Sequence, residues 1–311
     1  MPRPVSTSGA LLTAQAGRFE RLDPELPPAE SPPDGDVLTA ALADGDRVAG
    51  VLVRERCEPG SAPSLWSALD VWELHPLLGA AGGVGMDALL REWRRVLDRV
   101  TPGPDSACLV IWPSRDAEAV RALLAHGFTP LTALAVRREP APPGGPDGLA
   151  VRRATGRDLE VVLELELAEL AYSALVGAAI ARPDARAVKR ATLARNLERG
   201  DPVWLAERDG VVVGLAHCRL LDVQPGSAAG ARLPAGRWGY VNCVSVLAEA
   251  RGAGIGRALA AVAHRELAAA GATGTFLYYN PPNPLASVFW ARQGYRPLWT
   301  LWELRPAGAL R

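Results

Sequence analysis

Hydrophobic and polar positions follow two rhythms along this chain, and the switches between them mark out its elements. Period-two runs at Val37–Leu42 and Val48–Arg54, joined by Asp44-Gly45-Asp46, predict a β-hairpin. An apolar run at Leu65–Leu74 leads into a glycine-rich stretch ending at Gly85. From Met86 to Val100 the rhythm turns helical, with Leu89, Leu90, Trp93, Val96 and Leu97 on one face. A strand at Ala107–Trp112, a helix at Asp116–Ala125 and a strand at Leu131–Arg138 complete the first half. The second half opens with a strand at Leu149–Ala154. Thr155 then caps a helix, with Asp158 in capping-box position. A helical segment over about 184–198 precedes strands at Val203–Glu207 and Val211–Leu221. Beyond a Gly/Ala/Pro-rich loop (Gln224–Gly236) come a strand at Trp238–Leu247, a helix after Gly256, a strand at Gly274–Tyr279, a helix at Pro284–Gln293 and a last apolar pair around Arg296–Leu304. Before Asp36, five prolines (Pro24, Pro27, Pro28, Pro32, Pro33) predict a loop or loosely ordered arm for the first 36 residues.

Residues 139–148 read E-P-A-P-P-G-G-P-D-G, a run that holds neither a helix nor a central strand. It divides the chain into a domain at 1–139, a linker at 140–148 and a domain at 149–311. The halves also echo each other. Gly50 matches Gly214, Gly85 matches Gly256, Trp112-Pro113 matches Asn280-Pro281, and Gly127-Phe128-Thr129-Pro130 matches Gly294-Tyr295-Arg296-Pro297. The separations drift only between 164 and 171 residues, as a duplicated domain with loop insertions would give.

The densest chemical signal is Arg251-Gly252-Ala253-Gly254-Ile255-Gly256, a strand-to-helix turn with three glycines. Such a turn aims unpaired N–H groups outward at the positive end of a helix, where a phosphate fits, and Arg251 and Arg257 add charge. A P-loop needs Lys-Ser/Thr after its last glycine, but Arg257-Ala258 follows here. A dinucleotide fingerprint needs glycine where Arg257 stands. The pattern Arg/Gln-x-x-Gly-x-Gly/Ala, filled by Arg251, Gly254 and Gly256, resembles the coenzyme A pyrophosphate loop of the GNAT acyltransferase superfamily. About 30 residues on, the segment from Asn283 to Tyr295 resembles that family's N-x-x-A-x-x-F-Y-x-x-x-G-F motif.

The resemblance covers the chain from about Leu149 to Leu304 and carries definite expectations. It implies an α/β (α+β) protein of two GNAT-like domains, each a mixed, mostly antiparallel sheet splayed open in the middle and flanked by helices. Acetyl-CoA would lie in the split beyond Tyr240 as co-substrate. Backbone at Val244, Ser245 and Val246 would pair with its pantetheine arm, and residues Arg251, Gly252, Ala253, Gly254, Ile255, Gly256 and Arg257 would hold its pyrophosphate. Asn283, Ser287 and Trp290 would close the cofactor site, and a backbone N–H at Val246 or Leu247 would polarise the thioester carbonyl. The implied activity is N-acetyl transfer to a primary amine of a small molecule. A non-catalytic acyl-CoA-binding protein and a protein N-acetyltransferase are the alternatives. The first half keeps Gly83-Val84-Gly85 but has Ala80 in place of the arginine and lacks the asparagine, so it reads as a degenerate copy.

Catalytic candidates follow from position. The family places its base on the strand before the loop, where this chain has Tyr240 and Asn242, which share a face because strand side chains alternate. Neither is an ordinary base at neutral pH. His217, on the neighbouring strand, is of the residue type suited to a base at neutral pH, or is simply a satisfied histidine at a strand end. Glu164, Glu166 and Glu169 read either as a solvated helix face or as a binder for a cationic amine. Trp290 stands where the family has the tyrosine acid, and an indole N–H does not usefully protonate a thiolate.

Composition narrows the classes. With 34 basic and 34 acidic residues the net charge is zero, which argues against a nucleic-acid partner. Arginine supplies nearly all the positive charge, Lys189 being the sole lysine, and with the Ala/Gly/Pro content this predicts a bacterial source of high GC content. Cys57, Cys108, Cys218 and Cys243 form no C-x-x-C pair and no His cluster accompanies them, so no metal is expected. The N-terminus lacks a basic region followed by a long apolar run, and no apolar stretch is long enough for a bilayer. The expectation is a cytoplasmic monomer or homodimer without a membrane partner.

Overall fold

The computed structural model describes residues 5–139 and 149–311, with side chains from residue 9 onward. The expected linker at 140–148 lies outside the described residues. The first half runs α1 (Val5–Leu22), β1 (Asp36–Ala41), β2 (Arg47–Arg56), β3 (Asp70–Leu77), α2 (Gly82–Val100), β4 (Ser106–Pro113), α3 (Ala117–Ala125) and β5 (Thr129–Arg137). The second runs β6 (Ala150–Arg153), α4 (Leu159–Leu175), α5 (Ala185–Glu198), β7 (Val203–Arg208), β8 (Val211–Val223), β9 (Gly236–Val246), α6 (Ile255–Ala269), β10 (Gly274–Tyr279), α7 (Pro284–Arg292) and β11 (Arg296–Leu304).

One expectation needs correction. The opening residues are not a loop: α1 occupies the stretch ahead of Pro24, because the proline run begins only after it. Its Leu11, Gln15, Phe19 and Leu22 recur at helical spacing, and Gln15 and Phe19 are buried. The apolar run Leu65–Leu74 is shared between two elements. Pro63 starts a short 3₁₀ turn at Pro63–Leu65, and β3 begins at Asp70, where pairing with Ser106 starts. The capping box is as read, with Thr155 and Asp158 bonded reciprocally.

The eleven strands among the described residues form one sheet, in the order β1-β2-β3-β4-β11-β5-β10-β9-β8-β7-β6. From each rim inward the arrangement repeats, β7-β8-β9-β10-β5 answering β1-β2-β3-β4-β11, with β6 as an extra edge strand. The last strand of each half crosses into the other. β11 pairs with β4 from Trp299↔Pro113 to Leu304↔Cys108, and β5 pairs with β10 from Thr275↔Arg137 to Tyr279↔Ala133. The exchanged strands then pair antiparallel with each other at the centre. The largest core cluster accordingly joins Trp93, Trp112 and Phe128 of the first half to Trp299 and Trp302 of β11. The second half's cluster takes in Ala135 of β5.

Each half has one parallel strand pair. β3 and β4 pair from Asp70↔Ser106 to Leu74↔Val110, and β9 and β10 from Trp238↔Gly274 to Tyr240↔Phe276. Beyond these points the partners diverge, so the sheet splits twice.

Because the exchange removes a central strand from either half, residues 1–139 and 149–311 produced separately should each expose strand edges and aggregate. Co-expression should restore a soluble complex, measurable by co-purification; two soluble, independently folded halves would contradict the interlocked sheet.

Candidate functional site

The split in the second half begins where β9 leaves β10 after Tyr240. From Val241 to Val246, β9 is paired only with β8, so its other edge faces the split. Val244 and Val246 are half-buried there, while Ser245 points into the opposite layer and is buried. The N–H of Leu247 donates to the Val213 carbonyl at 3.0 Å, which removes it from the two expected polarising donors and leaves Val246.

After a 3₁₀ turn, Gly252 and Gly254 take φ of +81° and +80°, the left-handed region that residues with a Cβ adopt only at a cost. Gly254 is the N-cap of α6 and caps without a side chain. Among the described residues, the N–H groups of 252–257 have no backbone acceptor. A Cβ at Gly252 would meet nothing within 4 Å, so the turn is open to solvent. The Arg251 side chain folds back, its Nε donating to the Val246 carbonyl at 3.1 Å with the guanidinium 5.8 Å from the Tyr172 ring. Arg257 is exposed on the first turn of α6. Opposite, Asn283 caps α7 by accepting from the N–H groups of Leu285 and Ala286, which leaves its amide donors free. Ser287 donates to the carbonyls of Pro281 and Asn283. Trp290 is 8% exposed and packs edge-on against Tyr295 at 5.3 Å.

On the other side of the parted strands lies a cavity of about 420 Å³. It brings together the three catalytic candidates Tyr240, Asn242 and His217, with Tyr278 and Asn280 from the β10 side. The other half contributes walls: Leu65 and Trp66, Leu131 and Thr132 of β5, and beside them Leu301 of the exchanged β11. The β8–β9 register slips between His217 and Cys218, making Asn242 the extra residue of a β-bulge. Alternation therefore fails at that point, and Asn242 and Cys243 both line the cavity. The Gln224–Gly236 loop does not line it. That loop docks on the first half instead, where Leu233 is buried and the Arg232 carbonyl accepts from the Trp299 indole.

His217 is 2% exposed and held between two carboxylates. Its Nδ1 lies 2.7 Å from Glu166 and its Nε2 4.0 Å from Asp201, while the Asn242 amide is 3.4 Å from Nδ1. Lys189 donates to the second oxygen of Glu166 at 2.9 Å, and Arg199 and Arg219 hold Asp201. Burial raises the Glu166 carboxyl, but the hydrogen bond with His217 and the charge of Lys189 outweigh it and hold the group below the ordinary carboxylate range. Burial dominates at Glu169 and raises its carboxyl despite the hydroxyl donated by Ser173. Burial also raises the phenols of Tyr240 and Tyr278, which stay protonated at neutral pH. The Tyr295 hydroxyl is bound to His264 and Thr275 in the core, so it is structural.

Glu164 is the solvated member of the glutamate trio, paired with Arg186 at the surface; Glu166 is buried and Glu169 half-buried. The role of Glu166 had one readable signal, its position between Leu163 and Leu170 on the inward face of α4. Lys189 and Asp201 gave none, because they reach the cavity from α5 and from a loop. Among the described residues no group of three or more His, Cys, Asp or Glu side chains is placed to hold a metal ion, and no helix is long and apolar enough to cross a membrane.

Residues 167–295 match the Acetyltransferase (GNAT) family, a span containing the open turn and the α7 segment. A mycothiol acetyltransferase of Frankia alni is 34% identical over 199 residues, which cover 59% of this chain and 56% of that protein, so the match spans about half of its length. The GCN5-related N-acetyltransferase from Sphaerobacter thermophilus superposes with a TM-score of 0.57 at 17% identity, over 98% of this chain and 95% of its own, and shares the fold. A tandem GNAT protein from the clavulanic acid biosynthesis pathway aligns over 97% of this chain and 96% of its own, with a TM-score of 0.48 at 15% identity. Residues 167–295 thus carry the GNAT family match, and the chain with its twice-split sheet shares the fold of the Sphaerobacter thermophilus N-acetyltransferase along nearly its whole length.

Proposed function

We propose that the protein is an acetyl-CoA-dependent N-acetyltransferase whose second half binds the thioester and whose acceptor is a small molecule with a primary amine. The carrying observation is that one split joins the two requirements. Its outer side presents unpaired amides and two arginines at residues 251–257, and its inner side opens on a cavity holding a carboxylate-flanked histidine. The pantetheine amides would pair with the free edge of β9 as a short added strand, and the pyrophosphate would sit on the Gly252–Gly256 turn. The N–H of Val246 would polarise the carbonyl.

In the cavity, His217 and Glu169 are the groups able to accept a proton from the acceptor's ammonium, directly or through water. Glu166 orients the His217 ring and is a positioning residue. The free amine then attacks the thioester carbon, the carbon–sulfur bond breaks, and the departing thiolate takes a proton. The protonated phenols of Tyr240 and Tyr278, on the two parting strands, take the acid role that buried Trp290 does not fill. Glu169, the cavity glutamate with no ion pair of its own among the described residues, is placed to receive a cationic acceptor, and walls from both halves favour a small molecule over a peptide groove. The name of the Frankia relative, an acetyltransferase for mycothiol, is in keeping with a small-molecule acceptor. Trp290 favours a second reading, a protein that binds acyl-CoA without turnover.

Three outcomes are expected. Arg251→Glu should weaken coenzyme A binding at least about tenfold by calorimetry while the circular dichroism spectrum stays unchanged; unaltered affinity would refute the loop assignment. His217→Ala should lower kcat about 10²–10⁴-fold with little change in KM for acetyl-CoA, read as thiol release over an amine panel. Binding without turnover on a broad panel would establish the second reading. Glu166→Gln should cost about 3–5 kcal/mol near neutrality, because it leaves Lys189 and His217 facing an uncharged amide. Since folding lowers the Glu166 carboxyl, its contribution is complete above the carboxylate range and disappears as pH falls through the folded value. The gap from wild type in denaturant titrations should therefore close in acid, whereas a gap constant with pH would show that the charge is not what matters.

A further inference from the structure

The geometry points to an intramolecular occupant of the first half's cofactor cleft: helix α1 fills the split between β3 and β4, so the chain has one acyl-CoA site, in its second half. The inference takes its ligand from the proposed function, but its structural part stands apart from that reading.

The two clefts correspond strand by strand. Pro76 pairs with Gly50 as Val246 pairs with Gly214, so Pro76 to Leu78 answer Val246 to Ala248, the turn-side end of the edge expected to hold pantetheine. In the first half that edge is already paired. The Gln15 side-chain amide donates to the Pro76 carbonyl at 3.0 Å and accepts from the Leu78 N–H at 2.8 Å. Gln15 is 5% exposed, and one amide group supplies both the donor and the acceptor that a bound amide-bearing arm would supply. One helical turn on, Arg18 makes a two-pronged bond with Asp116, the N-cap of α3, at 2.6 and 2.8 Å, and a further bond with Glu118 at 3.1 Å. The Trp112 indole donates to the same buried Asp116 at 2.9 Å, and Phe19 packs edge-on against that ring at 5.4 Å.

The glycine turns differ in the same sense. A Cβ at Gly79 would lie 2.9 Å from a Leu11 methyl carbon, one at Gly82 would lie 2.8 Å from the Arg18 guanidinium, and one at Gly83 would lie 2.6 Å from the Glu118 carbonyl. Gly252 in the second half has open space in that direction. The first half's turn thus has protein over it, including the Glu118 carboxylate beside Gly82, where an incoming phosphate would meet like charge at the start of α2. The loss of the arginine at Ala80 and of the asparagine near Ser114 accords with a cleft that no longer receives a ligand.

Two measurements test this. Calorimetry with coenzyme A on the full chain should give one site for the wild type, and the same single site weakened at least tenfold for Arg251→Glu. Two sites in the wild type, or a site of unaltered affinity in Arg251→Glu, would overturn the inference. The second measurement needs no cofactor. Gln15→Met keeps the side-chain length but removes the amide, so hydrogen exchange at the Leu78 amide should accelerate at least tenfold while the β2–β3 ladder keeps its protection. An unchanged Leu78 would overturn the inference. Should the wild type bind no coenzyme A at all, the proposed function fails, and the Leu78 exchange rate alone decides whether α1 occupies the cleft.

Discussion

Two parallel strands that part company expose a row of backbone donors and acceptors inside a protein, and that single constraint shapes most of this molecule. Buried N–H and C=O groups without partners are costly, at roughly 1–3 kcal/mol each, so every such split needs something to complete it. This chain opens its sheet twice and answers differently each time. In the first half a glutamine side chain from α1 takes up the free edge at Pro76 and Leu78. In the second the edge at Val241–Val246 has no strand beside it, Arg251 taking only the Val246 carbonyl, and it runs into a glycine turn with outward-facing amides. One sheet plan thus occurs twice with two different endings, one closed by the chain itself and one open.

The strand exchange gives the split its setting. With β11 lodged beside β4 and β5 beside β10, neither half closes its sheet alone, and the cavity acquires walls from both. The first half shapes the space in front of His217 through Trp66 and Thr132. The polar contacts there form a chain running from Lys189 through Glu166 and His217 to Asp201 and its arginines. Members of such a network fix one another's positions, which accounts for how a histidine so well covered keeps a defined orientation.

Much of this was legible along the chain, because most elements are written in local periodicity. The helix of Leu89, Trp93 and Leu97, the hairpin around Gly45 and the strand before Arg251 each declare themselves within a dozen residues. The two motifs of the second half were readable for the same reason, since a glycine turn and an asparagine cap are local devices. What escaped was non-local or masked by neighbours. Helix α1 was hidden by the prolines that follow it, and the polar residue in its inward stripe, Gln15, has meaning only against strand edges more than sixty residues away. The exchange of β5 and β11 leaves no trace in either strand, because an apolar strand reads alike beside any partner. At Asn242 the expected alternation fails because a bulge inserts one residue, and the neighbouring Cys243 joins the cavity wall.

One detail of composition acquires a practical meaning from its place in the fold. The chain's sole lysine, Lys189, is not on the surface but in the cavity, its side chain 12% exposed and its ammonium bonded to Glu166. Folding raises its pKa through that carboxylate, against the opposing effect of burial, so its nucleophilic free-base form is scarce. The surface therefore presents no lysine side chain for reactive acyl groups to modify by accident. The same residue becomes a natural reporter: covalent tagging of side-chain amines addresses this one position, and its speed registers whether the chamber is filled.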